Sequence, residues 1–480
     1  MQPQCAATPT PLRRFSATPK RVLARLPLLL LPAVLAALLL PSVDAAEFDQ
    51  TCSFGGGGGG DYTVTLLVTR AVEGAVHAVD TRGTPQTYDD AQCASAGGPA
   101  CPSADACVGG AARRQTVLER ARGDPNAVAL DTGAHFFGSA LFFPTFRGNA
   151  SASLFRDAGY DAFALSWRDF TAGVTPADPG GAALLAAYLG TAGGGSKRAT
   201  ITNLELPAGD PLAPFVRRHA LVPLGGGRSL AFLALCDPTH VLPLNARYGA
   251  RLVGYQRAVA RELAALRRDG GGRLPDVVVV AIGDPPTAPD GAGFEDGAAS
   301  REDARALFQR DFVARSIGVH VVLVAGGTGG GEAEAAPECL LNWAGDRVLV
   351  VPDTQSGGVV VDNVTVSFDA ATGQVAAFAR EKIALGCAVP PHAGTQARVA
   401  GYLEEMDAVL GVVVGTATSS ADGNKVAGPF APDAVADAAG TFVPADAVAG
   451  AGEVWTGCRV AECAAGNLIA ARRDSAEDFL

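Results

Sequence analysis

Apolar residues along this chain occur in short runs that alternate with amphipathic stretches. The runs at 276–283 and 319–325 are apolar almost throughout, as expected of strands whose two faces are both covered. The stretch 251–268 repeats apolar residues on one face and gathers basic residues in its last turn, which predicts a helix. Alternation of this kind from residue 62 to residue 330 predicts a layered α/β domain.

The same reasoning places further elements along the chain. Strands are predicted at 62–69, 126–130, 161–165, 348–351, 358–361 and 364–368, and helices at 111–122, 300–316 and 396–410. The last helix lies where a connector between two domains would be expected. Only a short segment follows this helix, and it is small for an independent hydrophobic core.

The N-terminal segment has the pattern of a secretory signal. Basic residues precede an apolar run at 26–40, and Val43-Asp44-Ala45 supplies the small residues that cleavage requires. The run is shorter than the roughly 20 residues that a transmembrane helix needs. We therefore expect residues 1–45 to be removed, which leaves a secreted or cell-surface chain without a membrane span. An uncleaved anchor is the alternative.

Charge and length limit the possible functions. The chain has 480 residues, which favours two domains, and a net charge of −11 at pH 7. An acidic surface of this kind repels nucleic acid, so nucleic acid is not predicted as a partner.

Cysteines and sequons fit the secretory pathway. Two pairs are close enough in sequence to close short loops, and we predict these as disulfides: Cys101 with Cys107, and Cys458 with Cys463. Five further cysteines are left without assigned partners: Cys52, Cys93, Cys236, Cys339 and Cys387. Asn149 and Asn363 begin predicted N-glycosylation sequons.

Several segments at predicted strand ends resemble the metal-binding motifs of the 5′-nucleotidase family of metallophosphoesterases. They lie at 67–74, 130–138, 160–170, 282–284 and 325–329. In that family the corresponding motifs read Thr-Asn-Asp-x-His-Gly, Leu-Asp-Ala-Gly-Asp, Gly-Asn-His-Glu-Phe, Gly-His and Gly-His-x-His. The order of these segments makes the chain similar to 5′-nucleotidases over residues 60–470.

The residues that carry the chemistry of this family are replaced in all five motifs. A pair of divalent metals needs carboxylate, imidazole and amide ligands, and none of these family ligands is retained. The family's ligand positions are occupied by Ala71, Glu73, Ala134, Trp167, Asp284, Gly327 and Gly329. Arg168 stands at the position of the catalytic histidine.

The resemblance implies a specific architecture. Residues 60–385 would form a four-layer αββα metallophosphoesterase-like sandwich within the α/β class. Residues 386–415 would form a linker helix, and residues 416–480 a truncated C-terminal domain of the 5′-nucleotidase type. The nucleoside binds to that second domain in the family, and the aromatic residues that stack its base would lie beyond the end of this chain.

The resemblance also implies a function without the family's reaction. We expect a catalytically inactive 5′-nucleotidase-like protein that acts as a binding or structural module. Its partner would be a protein or a small molecule, for instance a nucleotide, and no cofactor is predicted. The alternative is an active metal-dependent nucleotide phosphohydrolase of nucleotide catabolism. It would hold two zinc-type divalent ions in a site altered around Glu73, Asp169 and Asp284.

Charged residues beside the altered motifs leave three interpretations open. Guanidinium groups could take the place of the lost cations, with ion pairs among Arg70, Glu73, Arg168, Asp169 and Asp284. The arginines could instead form an anion-binding pocket, or all these residues could be unrelated surface positions. His135, which follows the second motif, is predicted to be a structural histidine.

Overall fold

The computed structural model describes only part of the chain. The described residues are 52, 61–70, 72, 76, 79–80, 107–136, 145–170, 182–195, 197–236, 250–283, 310–324, 336–352, 358–410, 413–416 and 467–469. All of them belong to the unit Gln50–Leu480.

Nineteen strands and five α-helices have both ends within the described residues. The strands are β1 Tyr62–Thr69, β2 Val79–Asp80, β3 Cys107–Val108, β4 Ala127–Asp131, β5 Ala162–Phe163, β6 Ala199–Thr200, β7 Leu204–Glu205, β8 Val216–Arg217, β9 His219–Pro223, β10 Ser229–Leu235, β11 Arg251–Leu252, β12 Val277–Ile282, β13 Val321–Val324, β14 Glu338–Leu341, β15 Arg347–Pro352, β16 Val360–Phe368, β17 Val375–Ala384, β18 Val413–Thr416 and β19 Asn467–Ile469. The helices are α1 Ala111–Ala121, α2 Asn149–Ala158, α3 Ala182–Ala192, α4 Tyr255–Asp269 and α5 Ala393–Leu410.

Two sheets form the centre of the fold. The first has the order β17-β16-β1-β4-β5, in which β1, β4 and β5 are parallel and β16 and β17 are antiparallel to their neighbours. The second has the order β14-β15-β13-β12-β10-β9, with four parallel strands between two antiparallel edge strands. Parallel strands buried on both faces explain the continuous apolar runs in the sequence.

The sheets pack face to face and carry helices on their outer faces. One apolar cluster joins Leu66 of the first sheet to Phe232 of the second and fills the space between the sheets. A second cluster joins Leu67 to Phe155 of α2, and a third joins Val280 to Leu263 of α4. The layers are therefore helix, sheet, sheet and helix, so the predicted α/β metallophosphoesterase-type fold is confirmed.

Helix α5 is fixed to the helical layer on the first sheet. Val399 and Met406 belong to one buried cluster with Leu154 of α2. The hydroxyl groups of Tyr402 and Ser153 lie 2.8 Å apart and share a hydrogen bond. These contacts hold the helix predicted as a linker against α2.

Several predicted ends shift by one to three residues, and two predictions differ more from the structure. The helix predicted from Arg251 begins at Tyr255, because Arg251 and Leu252 form β11 and pair with β7. The strands predicted at 358–361 and 364–368 form one strand, β16, because β1 and β17 pair with it on either side. No helix within the described residues is long and apolar enough to cross a bilayer.

Candidate functional site

The loops that follow the parallel strands of both sheets meet at one edge of the sandwich. A side chain built on Gly283, just after β12, would lie 3.2 Å from the carbonyl oxygen of Thr132, which follows β4. It would also lie 3.5 Å from Ser166, which follows β5. Ligands bind beyond the carboxyl ends of parallel strands in open α/β sheets, so this edge is the candidate site.

Arg70 crosses this edge from one sheet to the other. Alternate residues of β1 point between the sheets, and residue 70 continues the series after Leu66 and Val68. The guanidinium group donates from Nη1 to the carbonyl oxygen of Val324 at 2.6 Å and from Nη2 to that of Val351 at 3.4 Å. Arg70 is 4% exposed, so a fixed positive charge lies buried between the ends of the strands.

Asp362 neutralises part of this positive charge. Its Oδ2 atom lies 3.8 Å from Nε of Arg70, and both carboxylate oxygens accept hydrogen bonds from Arg380 at 3.0 and 3.1 Å. Asp362 is on β16, on the face that otherwise carries apolar residues such as Val364. Arg70 and Arg380 therefore share the carboxylate of Asp362 in a buried region.

Asp169 binds two loops through its carboxylate. Oδ1 accepts hydrogen bonds from the backbone amides of His135 and Phe136, at 2.8 and 2.7 Å. Oδ2 accepts from the amides of Ala134 and Ser166, at 2.9 and 2.8 Å, and from the Ser166 hydroxyl at 3.3 Å. A carboxylate offers about four lone-pair sites, so this one is saturated.

The turn after β4 directs three amides at Asp169. Gly133 has φ = 101°, and a Cβ atom there would lie 2.7 Å from the backbone nitrogen of Ser166. Ala134 also has a left-handed backbone, with φ = 61°, which costs about 1–2 kcal/mol in a residue other than glycine. The hydrogen bonds to Asp169 compensate for this strain.

Asp131, the retained aspartate of the second motif, is fully buried at the end of β4. It accepts hydrogen bonds from the Thr69 hydroxyl at 2.5 Å and from the Gly133 amide at 3.0 Å. Burial raises the pKa of this carboxyl group above its ordinary value, while His135 and the two hydrogen bonds act in the opposite direction. Asp131 therefore supports the turn that presents amides to Asp169.

His135 is a buried structural residue, as predicted. Its Nε2 lies 2.9 Å from the carbonyl oxygen of Ala164, and its Nδ1 lies 3.1 Å from the Tyr188 hydroxyl. Because a carbonyl oxygen only accepts hydrogen bonds, Nε2 carries the proton. The rings of Phe155 and Tyr188 lie 4.6 and 5.5 Å from the imidazole, centroid to centroid.

Trp167 and Arg168 lie in a 3₁₀ turn, Trp167–Phe170, that follows β5. Trp167 is partly buried against the core of the first sheet. The Arg168 guanidinium lies 5.9 Å from the centroid of the Trp167 ring, which is a cation–π distance.

Comparison with known proteins gives a partial match in sequence. No family model matches the chain. A segment of 75 residues, 15% of the chain, is 36% identical to 5′-nucleotidase from Bos taurus and 37% identical to 5′-nucleotidase from Rattus norvegicus. The match spans 13% of the length of each of these relatives.

Comparison of structures gives a wider match. The 5′-nucleotidase precursor from Thermus thermophilus aligns with a TM-score of 0.52 and 21% identity, over 75% of this chain and 62% of the other. The chain has the fold of a 5′-nucleotidase. NAD nucleotidase from Haemophilus influenzae aligns over 75% of this chain and 63% of its own, with a TM-score of 0.52 and 14% identity. The chain thus spans less than two thirds of these nucleotidase structures.

The described residues at the candidate site of this nucleotidase fold do not suit a pair of divalent cations. Ala134, which the sequence resemblance aligns with a bridging aspartate, has no donor atom in its side chain, and the carboxylate of Asp169 is saturated by the protein itself. Arg70 brings a positive charge into the same region. Within the described ranges, no group of three or more His, Cys, Asp or Glu side chains is arranged to hold a metal ion.

One of the ion pairs considered for this site is not formed. In one of the three interpretations Asp169 pairs with an arginine, but two strand-end loops meet around it and their amides bind both of its oxygens. Arg70 pairs with Asp362 instead. Other predicted site residues fall outside the described residues: Ala71, Glu73, Asp284, Gly327 and Gly329.

Sequence reasoning missed Asp362 and Arg380, although one signal was present. The aspartate at position 362 lies between the strands predicted at 358–361 and 364–368, in phase with the apolar residues Val364, Val366 and Phe368 of the second. Such a residue needs a buried cation as partner. Asp362 lies outside all five motifs of the nucleotidase resemblance. It also lies 292 residues after Arg70, so the sequence does not indicate that the two residues meet.

The disulfide that the structure describes joins cysteines to which the sequence assigned no partner. A disulfide joins Cys52 to Cys339, two of the cysteines left unassigned, and Cys387 is also disulfide-bonded. The side chains of Cys101, Cys107, Cys458 and Cys463 lie outside the described residues, so their pairing stays a prediction.

The two sequon asparagines lie in different surroundings. Asn149 is exposed at the first residue of α2. Asn363 is half-buried in β16, between β17 and β1, where its Nδ2 lies 3.5 Å from Glu381. Of the two, Asn149 has the surroundings that a glycan needs.

Proposed function

We propose that this chain is a 5′-nucleotidase-like protein that does not hydrolyse phosphate esters and acts as a binding or structural module. The observation that supports this most is the buried guanidinium of Arg70. It occupies the edge of the sandwich between carbonyl groups of β13 and β15, where the family resemblance expects metal chemistry. The carboxylates of Asp169 and Asp362, which are both bound by groups of the protein, support the same proposal.

Electrostatics argue against metal binding beside Arg70. A divalent ion about 4 Å from a guanidinium would be repelled by about 8 kcal/mol at an effective dielectric constant of 20. Active members of the family offset the charge of their ions with several carboxylates. Here Asp362 is bound by two arginines, so it has little negative charge to offer a further cation.

The alternative, an active phosphohydrolase with an altered site, depends on Asp169 as a ligand. To bind a metal, this carboxylate would have to give up hydrogen bonds from the backbone. Each such bond to a charged group contributes about 1.5–3 kcal/mol. Glu73 and Asp284, the other residues of this alternative, lie outside the described residues. The hydrogen bonds of Asp169 therefore favour the inactive protein.

We place the protein in the secretory pathway, as a secreted or cell-surface chain. The disulfide between Cys52 and Cys339 is typical of proteins from oxidising compartments. The predicted signal at residues 1–45 and the exposed sequon at Asn149 agree with that location. Cleavage after Ala45 would be seen directly by N-terminal sequencing of the secreted protein.

Hydrolysis and metal content test the proposal together. The purified chain beginning at residue 46 is incubated with AMP and with a generic phosphate ester, with added Zn²⁺ or Mn²⁺ and with chelator. An active 5′-nucleotidase serves as the positive control. We expect no chelator-sensitive phosphate release and no stoichiometric metal after dialysis. Chelator-sensitive hydrolysis, accompanied by about two bound metal ions per chain, would overturn the proposal.

The binding role needs a separate measurement. Thermal unfolding is recorded with AMP, adenosine and inorganic phosphate, because a ligand that binds the folded state raises Tm. A rise with AMP or adenosine supports a nucleotide-binding module. No rise with any of these ligands removes small nucleotides from the proposal and leaves a structural or protein-binding role.

A further inference from the structure

Basic side chains converge where the parallel strands of the first sheet begin, at the edge opposite the candidate site. Arg122 comes before β4, and Lys197 and Arg198 come directly before β6. Strands β4 and β5 are parallel, and a parallel bridge joins the end of β5 to β6. Strand β8 pairs in parallel with β6 and places Arg217 opposite Thr200. We refer to Arg122, Lys197, Arg198 and Arg217 as the basic cluster.

Two members of the basic cluster bind carbonyl groups at the end of α2. Arg122 donates from Nη2 to the carbonyl oxygen of Ala158 at 2.5 Å. Lys197 donates from Nζ to the carbonyl oxygen of Gly159, at 3.4 Å, and to that of Tyr160. The C-terminal end of a helix attracts cations, so these two side chains stabilise α2. Because they bind adjacent carbonyl groups, their charged groups also lie close together.

The positive charge of the basic cluster is only partly neutralised. Burial and Arg198 lower the pKa of Arg217, and no carboxylate of the described residues acts in the opposite direction. The Nε atom of Arg217 is buried and has no hydrogen-bond partner. Burial also lowers the pKa of Lys197. Asp161 acts against this shift, and Arg122 and Arg217 add to it.

The excess charge lies on three members of the basic cluster. Arg122 has a carboxylate partner, Glu119, at 3.6 Å, which leaves Lys197, Arg198 and Arg217 as the source of the excess. Arg198 is exposed and Arg217 is half-buried, so a ligand in the solvent can reach both side chains. Guanidinium groups bind the oxygens of sulfate and phosphate groups through paired hydrogen bonds. The basic cluster therefore has the chemistry of an oxoanion site.

Two observations limit the kind of molecule that carries the oxoanion. The large apolar side chains exposed among the described residues are Leu221, Ile317 and Trp343, and none of them lies in the segments that carry the basic cluster. The cluster therefore offers no apolar anchor to a membrane. The net charge of −11 repels a long stiff polyanion such as duplex nucleic acid. The field of the cluster itself extends only about 8 Å at physiological ionic strength, which suits a flexible polyanion that contacts it with a few groups.

We propose that Lys197, Arg198 and Arg217 bind the sulfate groups of an acidic polysaccharide of the cell surface. Arg198 and Arg217 provide the paired donors, and Lys197 contributes a charge whose position is fixed by the backbone of α2. The choice of a polysaccharide rests on the secretory location proposed above. The site itself does not depend on whether the protein hydrolyses phosphate esters.

Binding of heparin by the purified chain beginning at residue 46 tests this proposal. The Kd is measured at several NaCl concentrations, and log Kd should rise with log [NaCl]. In the double variant Arg198→Gln/Arg217→Gln the slope should be smaller by about 1.4–1.8, because each lost contact with a linear polyanion removes about 0.7–0.9. Arg267→Gln/Arg268→Gln makes the same change of charge at exposed positions of α4 and should keep the slope of the unmodified chain.

Other ligands identify the polyanion. Heparin stripped of its sulfate groups should not bind. Equal slopes in the unmodified chain and in Arg198→Gln/Arg217→Gln would overturn the proposal. Tighter binding to phosphatidylserine vesicles or to duplex DNA than to heparin would overturn it as well.

Acetylation of lysine amines in the unmodified chain gives a second result that does not depend on a variant folding. Saturating heparin should slow the reaction at Lys197. The rate at Lys382, which is also half-buried and lies on β17, should not change. An unchanged rate at Lys197 would show that the polysaccharide does not bind there.

Discussion

Replacing Asp169 with asparagine gives the sharpest test of how the candidate site is held together. Asparagine has nearly the same shape but only one acceptor oxygen. If that oxygen takes the place of Oδ1, the amides of Ala134 and Ser166 face an NH₂ group. If the oxygen takes the place of Oδ2 instead, the amides of His135 and Phe136 face the NH₂ group. In either orientation, two buried backbone amides lose their acceptor.

The expected loss of stability follows from these two hydrogen bonds. A bond to a charged acceptor contributes about 1.5–3 kcal/mol, so the free energy of unfolding should fall by about 3–6 kcal/mol. With an m-value of about 3 kcal/mol/M, the midpoint of urea unfolding falls by about 1–2 M. Asp269→Asn, at an exposed position at the end of α4, should change the free energy of unfolding by less than about 0.5 kcal/mol.

Urea unfolding is followed by far-UV circular dichroism, with and without added Zn²⁺. A midpoint for Asp169→Asn equal to that of the Asp269→Asn control would show that the carboxylate does not hold the two loops. A rise in the midpoint of the unmodified chain on addition of Zn²⁺, absent in Asp169→Asn, would show that Asp169 is a metal ligand. Either result refutes the reasoning.

Substitutions at three other positions, Arg70, His320 and Ala134, test further parts of the structure. Arg70→Met removes a charged donor from the carbonyl oxygen of Val324, so urea unfolding should show a loss of about 1.5–3 kcal/mol, and AMP hydrolysis should stay absent. Burial lowers the pKa of His320 from 6.5 to about 4, so stability should fall by up to about 3 kcal/mol as pH falls from 6.5 to 4. His320→Asn should flatten this part of the pH profile, and an unchanged profile would contradict the assignment. Ala134→Asp places a carboxylate at a buried position without a partner cation, so the Tm of this variant should fall. Added Zn²⁺ should not raise that Tm again. The control Ala134→Gly should fold normally.

The sequence predicted those elements whose patterns are local. Strand β1 was predicted with its observed ends, and β12 came from an apolar run that only a strand covered on both faces explains. The start of α4 was misplaced because Leu252 fits the apolar face of the helix. In the structure Leu252 belongs to β11 and pairs with Leu204 of β7. A local sequence pattern does not reveal a contact between residues so far apart in the chain.

The candidate site was less predictable because its partners are distant in sequence. Arg70 and Asp362 meet only because β1 and β16 pair antiparallel, a register that the sequence does not reveal. The saturation of Asp169 requires two loops to converge after folding. The disulfide of Cys52 spans 287 residues to Cys339, and no spacing rule indicates it.

The charges at this edge agree with the proposal that the protein does not bind a metal pair there. A metal pair neutralises carboxylates that would otherwise be buried at a high cost. In this chain each described acidic residue near the edge has an internal partner instead: Asp362 has two arginines, Asp169 has four amides, and Asp131 has a hydroxyl and an amide. Because these partners belong to the polypeptide, none of these three described carboxylates needs an ion for its stability. Stability and metal content should therefore be independent in this protein, although a metallophosphoesterase couples them.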